Sequence, residues 1–151
     1  MRIWFLFLLT FILLTSCGTY SEKELQNFDQ QIQDYIQKNG LHFEKNESGM
    51  YYNILNEGVG EEFIQYQDQV SFAYKGYFLD GNTFQVVDES DPLNLKVNQL
   101  IAGWQDALMM LKSQGIIQII LPPQLAYGKK HTELIPENSI LVYDIKVLSI
   151  N

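Results

Sequence analysis

The sequence predicts an α+β domain: an antiparallel sheet wrapped around one helix, with a short amphipathic helix ahead of it. Three observations carry this. Apolar residues recur at helical spacing over residues 21–39, the pattern turns to period two after Gly40, and a second helical stretch, 97–112, is flanked by β-prone segments. Of 151 residues, 46% are hydrophobic, enough for a packed core and too many for a disordered chain. With a single Cys no intramolecular disulfide can form, so stability must come from packing.

In the first helix Leu25, Phe28, Ile32, Tyr35 and Ile36 mark one face. Ser21 with Glu24 three residues on is a capping-box pattern, and Gly40 is the expected C-terminal cap. Its apolar stripe can pack on its own domain, on a second copy or at a membrane surface; the first reading is preferred. Leu41-His42-Phe43 and Met50 to Leu55 begin the sheet, and Gly58-Val59-Gly60 makes a turn. Val70 to Phe78 alternates as a strand, Leu79-Asp80-Gly81-Asn82 is a hairpin turn, and Thr83 to Val86 returns. Ile101, Trp104, Leu108 and Leu111 predict one helix between Val97 and Lys112, ended by Gln114-Gly115. The β-prone run Ile116 to Leu121, apolar except at Gln118 and stopped by Pro122-Pro123, predicts a central strand. A loop over residues 124–139 leads to a last strand with Leu141, Tyr143, Ile145 and Val147 on its core face.

Composition excludes several function classes. Ten basic against 18 acidic residues give a net charge of −8 and a pI near 4.6, and Lys129-Lys130 is the only adjacent basic pair. Nucleic-acid binding needs clustered cations and is not expected. One Cys with His42 and His131, far apart in sequence, supplies no standard zinc or iron–sulfur ligand set, so no metal is expected. No Ser-His-Asp set, carboxylate pair or phosphate loop is evident, and no cofactor is implied.

The N-terminus differs from the rest. Met1-Arg2 leads into an uncharged run from Ile3 to Leu14, which reads as the apolar core of a signal peptide. As a helix it would span roughly 18 Å, too little for a hydrocarbon layer of about 30 Å. Leu14-Thr15-Ser16-Cys17-Gly18 resembles the lipobox of bacterial lipoproteins, in which a peptidase cuts before the cysteine and fatty acyl chains modify it. The resemblance implies residues 1–16 as signal peptide and Cys17 as the lipidation site. Their removal takes away the only Arg, leaving an acidic, extracytoplasmic chain tethered to a membrane of the cell envelope.

Four blocks further along carry a second resemblance. They are Val70 to Gly76 with Leu79-Asp80-Gly81 and Phe84; Gln99 to Leu108; Leu121 to Gly128; and Ile135 to Tyr143. In this order they resemble the FKBP-type peptidyl-prolyl isomerases over roughly residues 49–150, nearly the whole domain. The entry stretch Ser48-Gly49-Met50-Tyr51-Tyr52 is similar to extracytoplasmic bacterial members.

The resemblance implies an isomerase domain over 41–151, preceded by a lipidated N-terminus and amphipathic helix over 17–40. It implies proline-containing polypeptides as partners and compatibility with tacrolimus-like macrolides. Carried over by position, Trp104 forms the pocket floor, with Tyr74, Phe84, Leu100, Ile101 and Tyr143 as walls. The Ile101 N–H and the Tyr127 hydroxyl are the implied donors to substrate carbonyls, and Ile135 lies on the loop closing over the pocket. Gln85 stands where the family usually has an acidic residue, and Val86-Val87 follow where small polar residues are usual. Leu93 and Leu95 make one wall aliphatic. The alternative is a low-activity chaperone or binding module that uses the same cleft.

Overall fold

The computed structural model describes residues 20–151; Cys17 and the signal-peptide assignment lie outside the described residues. The first helix, α1, spans Glu22–Asn39. The Ser21 hydroxyl accepts from the Glu24 N–H, the Glu24 carboxylate accepts from the Ser21 N–H, and Gly40 takes the left-handed cap at φ 61°. Both ends therefore match the sequence expectation.

The strands are β1 (Glu44–Lys45), β2 (Tyr51–Asn56), β3 (Gln69–Phe78), β4 (Thr83–Val87), β5 (Leu93–Lys96), β6 (Ile116–Leu121) and β7 (Leu141–Ile150). They form one antiparallel sheet in the order β1-β2-β6-β7-β3-β4. Strand β5 pairs with the first half of β3, on residues 69–72, whereas β4 pairs with its second half. The predicted hairpin turn forms, with Gly81 at φ 89° and the Asp80 carboxylate accepting from the Asn82 N–H.

Period-two alternation sends side chains to two separate clusters. On the inner face Val70, Phe72, Ile117, Ile119, Leu121, Leu141, Tyr143, Ile145 and Val147 pack with Trp104, Leu108 and Leu111. On the outer face Ile120, Val142 and Tyr51 pack under Phe28 and Ile32 of α1. The run in β6, apolar except at Gln118, reflects this double covering, because one face meets the inner helix and the other meets α1. Helix α1 thus packs on its own domain. A side-chain network locks it there: Asp29 accepts from Lys45, from the Tyr51 hydroxyl at 2.7 Å and from Gln33 at 2.8 Å.

Three expectations change. The helix expected over 97–112 is broken into a 3-10 turn, Val97–Gln99, and a short helix α2, Ala102–Leu108. Between them Leu100 and Ile101 are extended, with ψ of 166° and 153°. The Gln105 side-chain amide donates to the Leu100 carbonyl at 2.7 Å, satisfying an acceptor that a continuous helix would have used. Pairing begins at Glu44 rather than at Leu41-His42-Phe43. Leu93 and Leu95, expected as a pocket wall, sit on a strand that the sequence pattern left unassigned, β5 paired with β3.

Two glycines allow close packing. A Cβ on Gly103 would lie 2.3 Å from Leu121 Cδ2, so its absence lets α2 settle against β6. A Cβ on Gly76 would lie 2.6 Å from the Phe84 ring and 3.0 Å from the Tyr143 ring.

Candidate functional site

The break before α2 shapes a cavity. Between extended Leu100 and Ile101, β5 and the loop after β6 lies a cleft of about 340 Å³. Its lining comprises Phe72 and Tyr74 of β3, Leu93 and Leu95 of β5, Gln99, Leu100 and Ile101, Trp104 of α2, Tyr127 and Tyr143. A larger hollow of about 440 Å³ lies near Ile36, Leu41 and Ile54, outside this aromatic assembly.

Trp104 is the centre of the aromatic cluster. Its ring centroid lies 5.1 Å from Phe72, 4.9 Å from Tyr74 and 5.1 Å from Tyr143, the two tyrosines meeting it at 82°. Such edge-to-face contacts place positive ring edges on negative faces and fix the rings relative to one another. Tyr74 and Tyr143 also meet edge to face at 5.9 Å.

Polar groups reach this apolar space at few points. The Ile101 N–H and the Tyr127 hydroxyl have no hydrogen-bond partner among the described residues. Burial raises the Tyr74 phenol to about 12, with the nearby Tyr127 adding to it. Burial also pushes the Tyr143 phenol far up, reinforced by Tyr127 and Tyr74 and offset in part by the Trp104 indole. Both phenols therefore remain neutral donors at physiological pH.

The structure brings Tyr74, Leu100, Ile101, Trp104, Tyr127 and Tyr143 together around the cleft, with Leu93 and Leu95 as an aliphatic wall. Phe84 stands behind it, its ring 5.7 Å from Tyr143 at 87° and 5.1 Å from Phe78. A bulge puts it there. Gly76 pairs with Gln85 and Tyr77 with Thr83, so Phe84 has no ladder partner and turns inward. Gln85 is exposed on β4 and does not line the cleft. Ile135 is buried in the inner core cluster rather than in the lining. Phe72 and Gln99 were not anticipated; Phe72 lies two residues before Tyr74 on the same strand face, which alternation could have shown.

Among the described residues no cluster of His, Cys, Asp or Glu could hold a metal ion, and no helix is long and apolar enough to cross a membrane. An aromatic floor with a few fixed donors suits an uncharged ring and the carbonyls beside it.

Comparison with known proteins agrees with this geometry. The profile of the FKBP-type peptidyl-prolyl cis-trans isomerase family matches residues 60–148. The chain belongs to that family. It is 37% identical over 107 residues to the FKBP-type peptidyl-prolyl cis-trans isomerase FkpA of Buchnera aphidicola subsp. Schizaphis graminum, covering 70% of this chain and 42% of the relative. It is 36% identical over 104 residues to FkpA of Escherichia coli K12, covering 68% and 38%. The chain thus spans about two-fifths of the length of these curated relatives. The crystal structure of Escherichia coli FkpA superposes with a TM-score of 0.73 at 31% identity, covering 86% of this chain and 62% of that one. A peptidyl-prolyl cis-trans isomerase from Pseudomonas syringae shares the fold with a TM-score of 0.70 at 23% identity, covering 89% and 99%.

Proposed function

We propose that this chain is a peptidyl-prolyl cis-trans isomerase that accelerates X–Pro isomerisation in exported proteins at the cell envelope. The observation that carries the reading is the Trp104-floored aromatic cleft, with the Ile101 N–H and the Tyr127 hydroxyl left without partners at its edge. Rotation about an X–Pro bond faces a barrier of about 18–20 kcal/mol because amide resonance is lost at the twisted midpoint. Catalysis requires tighter binding of that twisted amide than of either planar isomer. The proline ring rests on Trp104 between Tyr74 and Tyr143, held while the preceding carbonyl turns. The cleft excludes water, so the twisted amide, with less charge separation than the planar one, is favoured there. The Ile101 N–H and the Tyr127 hydroxyl hold the flanking carbonyls, keeping the peptide in place through the rotation. Phe84 supports the Tyr143 wall from behind.

The envelope location rests on the signal-like run before Cys17 and its lipobox pattern. In this reading residues 1–16 are removed, residues 17–40 carry the anchor and helix α1, and residues 41–151 carry the catalytic domain. A tacrolimus-like macrolide would occupy the same cleft.

A second reading is a low-activity chaperone or binding module, favoured by the aliphatic wall of Leu93 and Leu95 in the cleft. An NMR-exchange or protease-coupled assay on a short X–Pro peptide separates the two. Enzyme-dependent acceleration that a tacrolimus-like macrolide suppresses is the expected result. Proline-peptide binding without acceleration would establish the binding module instead.

A further inference from the structure

We propose that Tyr20, the residue ahead of the α1 cap, is a positioning residue for the cleft, clamping from outside the loop that carries Tyr127. The kinetic part of this inference rests on the isomerase reading; the structural part does not.

The loop from Ala126 to Ile140 has no regular secondary structure and is closed by few backbone bonds. Its base is pinched where the Asn138 N–H donates to the Gly128 carbonyl at 2.8 Å, and the Gly128 N–H donates to the Pro123 carbonyl at 2.9 Å. Gly128 and Asn138 both sit in the left-handed region, at φ 63° and 60°. Tyr127 is the residue directly before this pinch, so its direction in the cleft depends on how the pinch is held.

Tyr20 grips the pinch through two neighbouring groups. Its hydroxyl donates to Asn138 Oδ1 at 2.8 Å, and the Lys129 ammonium lies 4.9 Å over its ring. The hydroxyl also lies 3.9 Å from the place a Cβ on Gly128 would occupy. From the other side the ring meets Phe28 edge to face, at 5.2 Å and 89°. Phe28 is itself buried in the outer-face cluster, and the capping box at Ser21 fixes the backbone next to Tyr20. A continuous path of contacts therefore runs from the sheet through Phe28 and Tyr20 to the segment before which Tyr127 stands.

Packing on Phe28 needs only a ring, so a phenylalanine at position 20 would serve it equally well. The hydroxyl is specific to the loop. Burial, with the Glu24 and Glu137 carboxylates nearby, raises the Tyr20 phenol and keeps it a donor. Holding the loop in one conformation before substrate arrives removes an ordering cost from binding. The contact is expected to act on KM more than on kcat.

The test compares the full-length protein with Tyr20→Phe, Asn138→Gly and the double variant. Tyr20→Phe keeps the ring contacts, and glycine keeps the left-handed backbone of position 138. Amide hydrogen exchange at Gly128 and Asn138 should quicken about two- to tenfold in Tyr20→Phe, the scale of one lost neutral hydrogen bond. KM for an X–Pro peptide should rise by a similar factor, with kcat near the wild-type value and Tm lower by no more than a few degrees. Because Tyr20→Phe and Asn138→Gly remove the same bond, the double variant should be no worse than the worse single one. Asn138→Asp, which keeps the acceptor and tolerates the backbone, should retain the wild-type values. Wild-type exchange rates in Tyr20→Phe, or faster exchange with unaltered peptide affinity, would overturn the proposal. Absence of isomerase activity in the wild-type protein would sink the functional reading instead, while exchange and peptide affinity still decide the clamp.

Discussion

At the scale of single residues, the site separates groups that face the cleft from groups that only neighbour it in sequence. Tyr127→Phe removes one hydroxyl and keeps the ring in the lining. If that hydroxyl holds a substrate carbonyl, a neutral hydrogen bond of about 0.5–1.5 kcal/mol is lost and kcat/KM falls roughly 2- to 13-fold, with Tm unchanged. Unchanged catalysis and macrolide affinity would reduce Tyr127 to packing. Gln85→Asp has the opposite expectation. Gln85 is exposed and outside the lining, so restoring a carboxylate there should leave kcat/KM within about twofold at physiological ionic strength, because charges in water are screened. A larger gain would show that the field of a charge at position 85 reaches the cleft. The cleft itself was largely legible through the resemblance of the four sequence blocks to the isomerase family, whose positions carried over to Tyr74, Trp104 and Tyr143. The direction of Gln85 was not, since it depends on the bulge at Phe84, and a bulge is a property of strand pairing rather than of either strand alone.

Among elements, α1 shows how a local pattern can fix an element without fixing its partner. The capping box, the apolar stripe and the glycine cap defined its ends, but the stripe fits any apolar surface. What selects the outer sheet face is apolar residues at alternate positions of three strands, Tyr51, Ile120 and Val142, and the polar lock on Asp29. Burial would raise the Asp29 carboxyl, but hydrogen bonds from Lys45 and Tyr51 outweigh it and hold the pKa below the usual 3.8. A depressed folded pKa contributes stability above the unfolded value that is lost as pH falls through the folded one. The lock is therefore intact at neutral pH and weakens below about pH 4. Asp29→Asn should lower Tm by roughly 3–6 °C at pH 7, about 1 kcal/mol for a partly exposed pair in a domain of this size, and by less at pH 3. Equal losses at both pH values would show that the carboxylate charge contributes nothing. The second helical stretch failed as one element for a related reason. Its apolar spacing reported faces correctly, yet the break at Leu100-Ile101 depends on the Gln105 side chain reaching back to a carbonyl, a contact that periodicity does not encode.

At the scale of the whole molecule, the covering of both sheet faces was written in β6, whose apolar run has no polar alternation except Gln118. The placement of the N-terminus relative to the cleft was not legible, because it comes from a single docked tyrosine. That placement bears on anchoring. Cys17 precedes Tyr20 by three residues in the sequence, and three residues reach at most about 11 Å. An acylated Cys17 would accordingly hold the loop side of the domain close to the bilayer. Each buried methylene contributes about 0.8 kcal/mol, and two or more acyl chains make the attachment effectively permanent, even for a chain whose acidic charge is repelled by anionic lipids. Cys17→Ser removes the proposed acylation point and leaves the contacts of Tyr20 and α1 among the described residues untouched. It should therefore release the protein into the soluble fraction with an unaltered Tm and the wild-type kcat/KM toward a short peptide. Fractionation with mass analysis of the N-terminus checks this. A Cys17→Ser protein that has lost residues 1–16 and still sediments with membranes would count against lipid anchoring, because hydrophobic attachment through the signal segment is then removed as well.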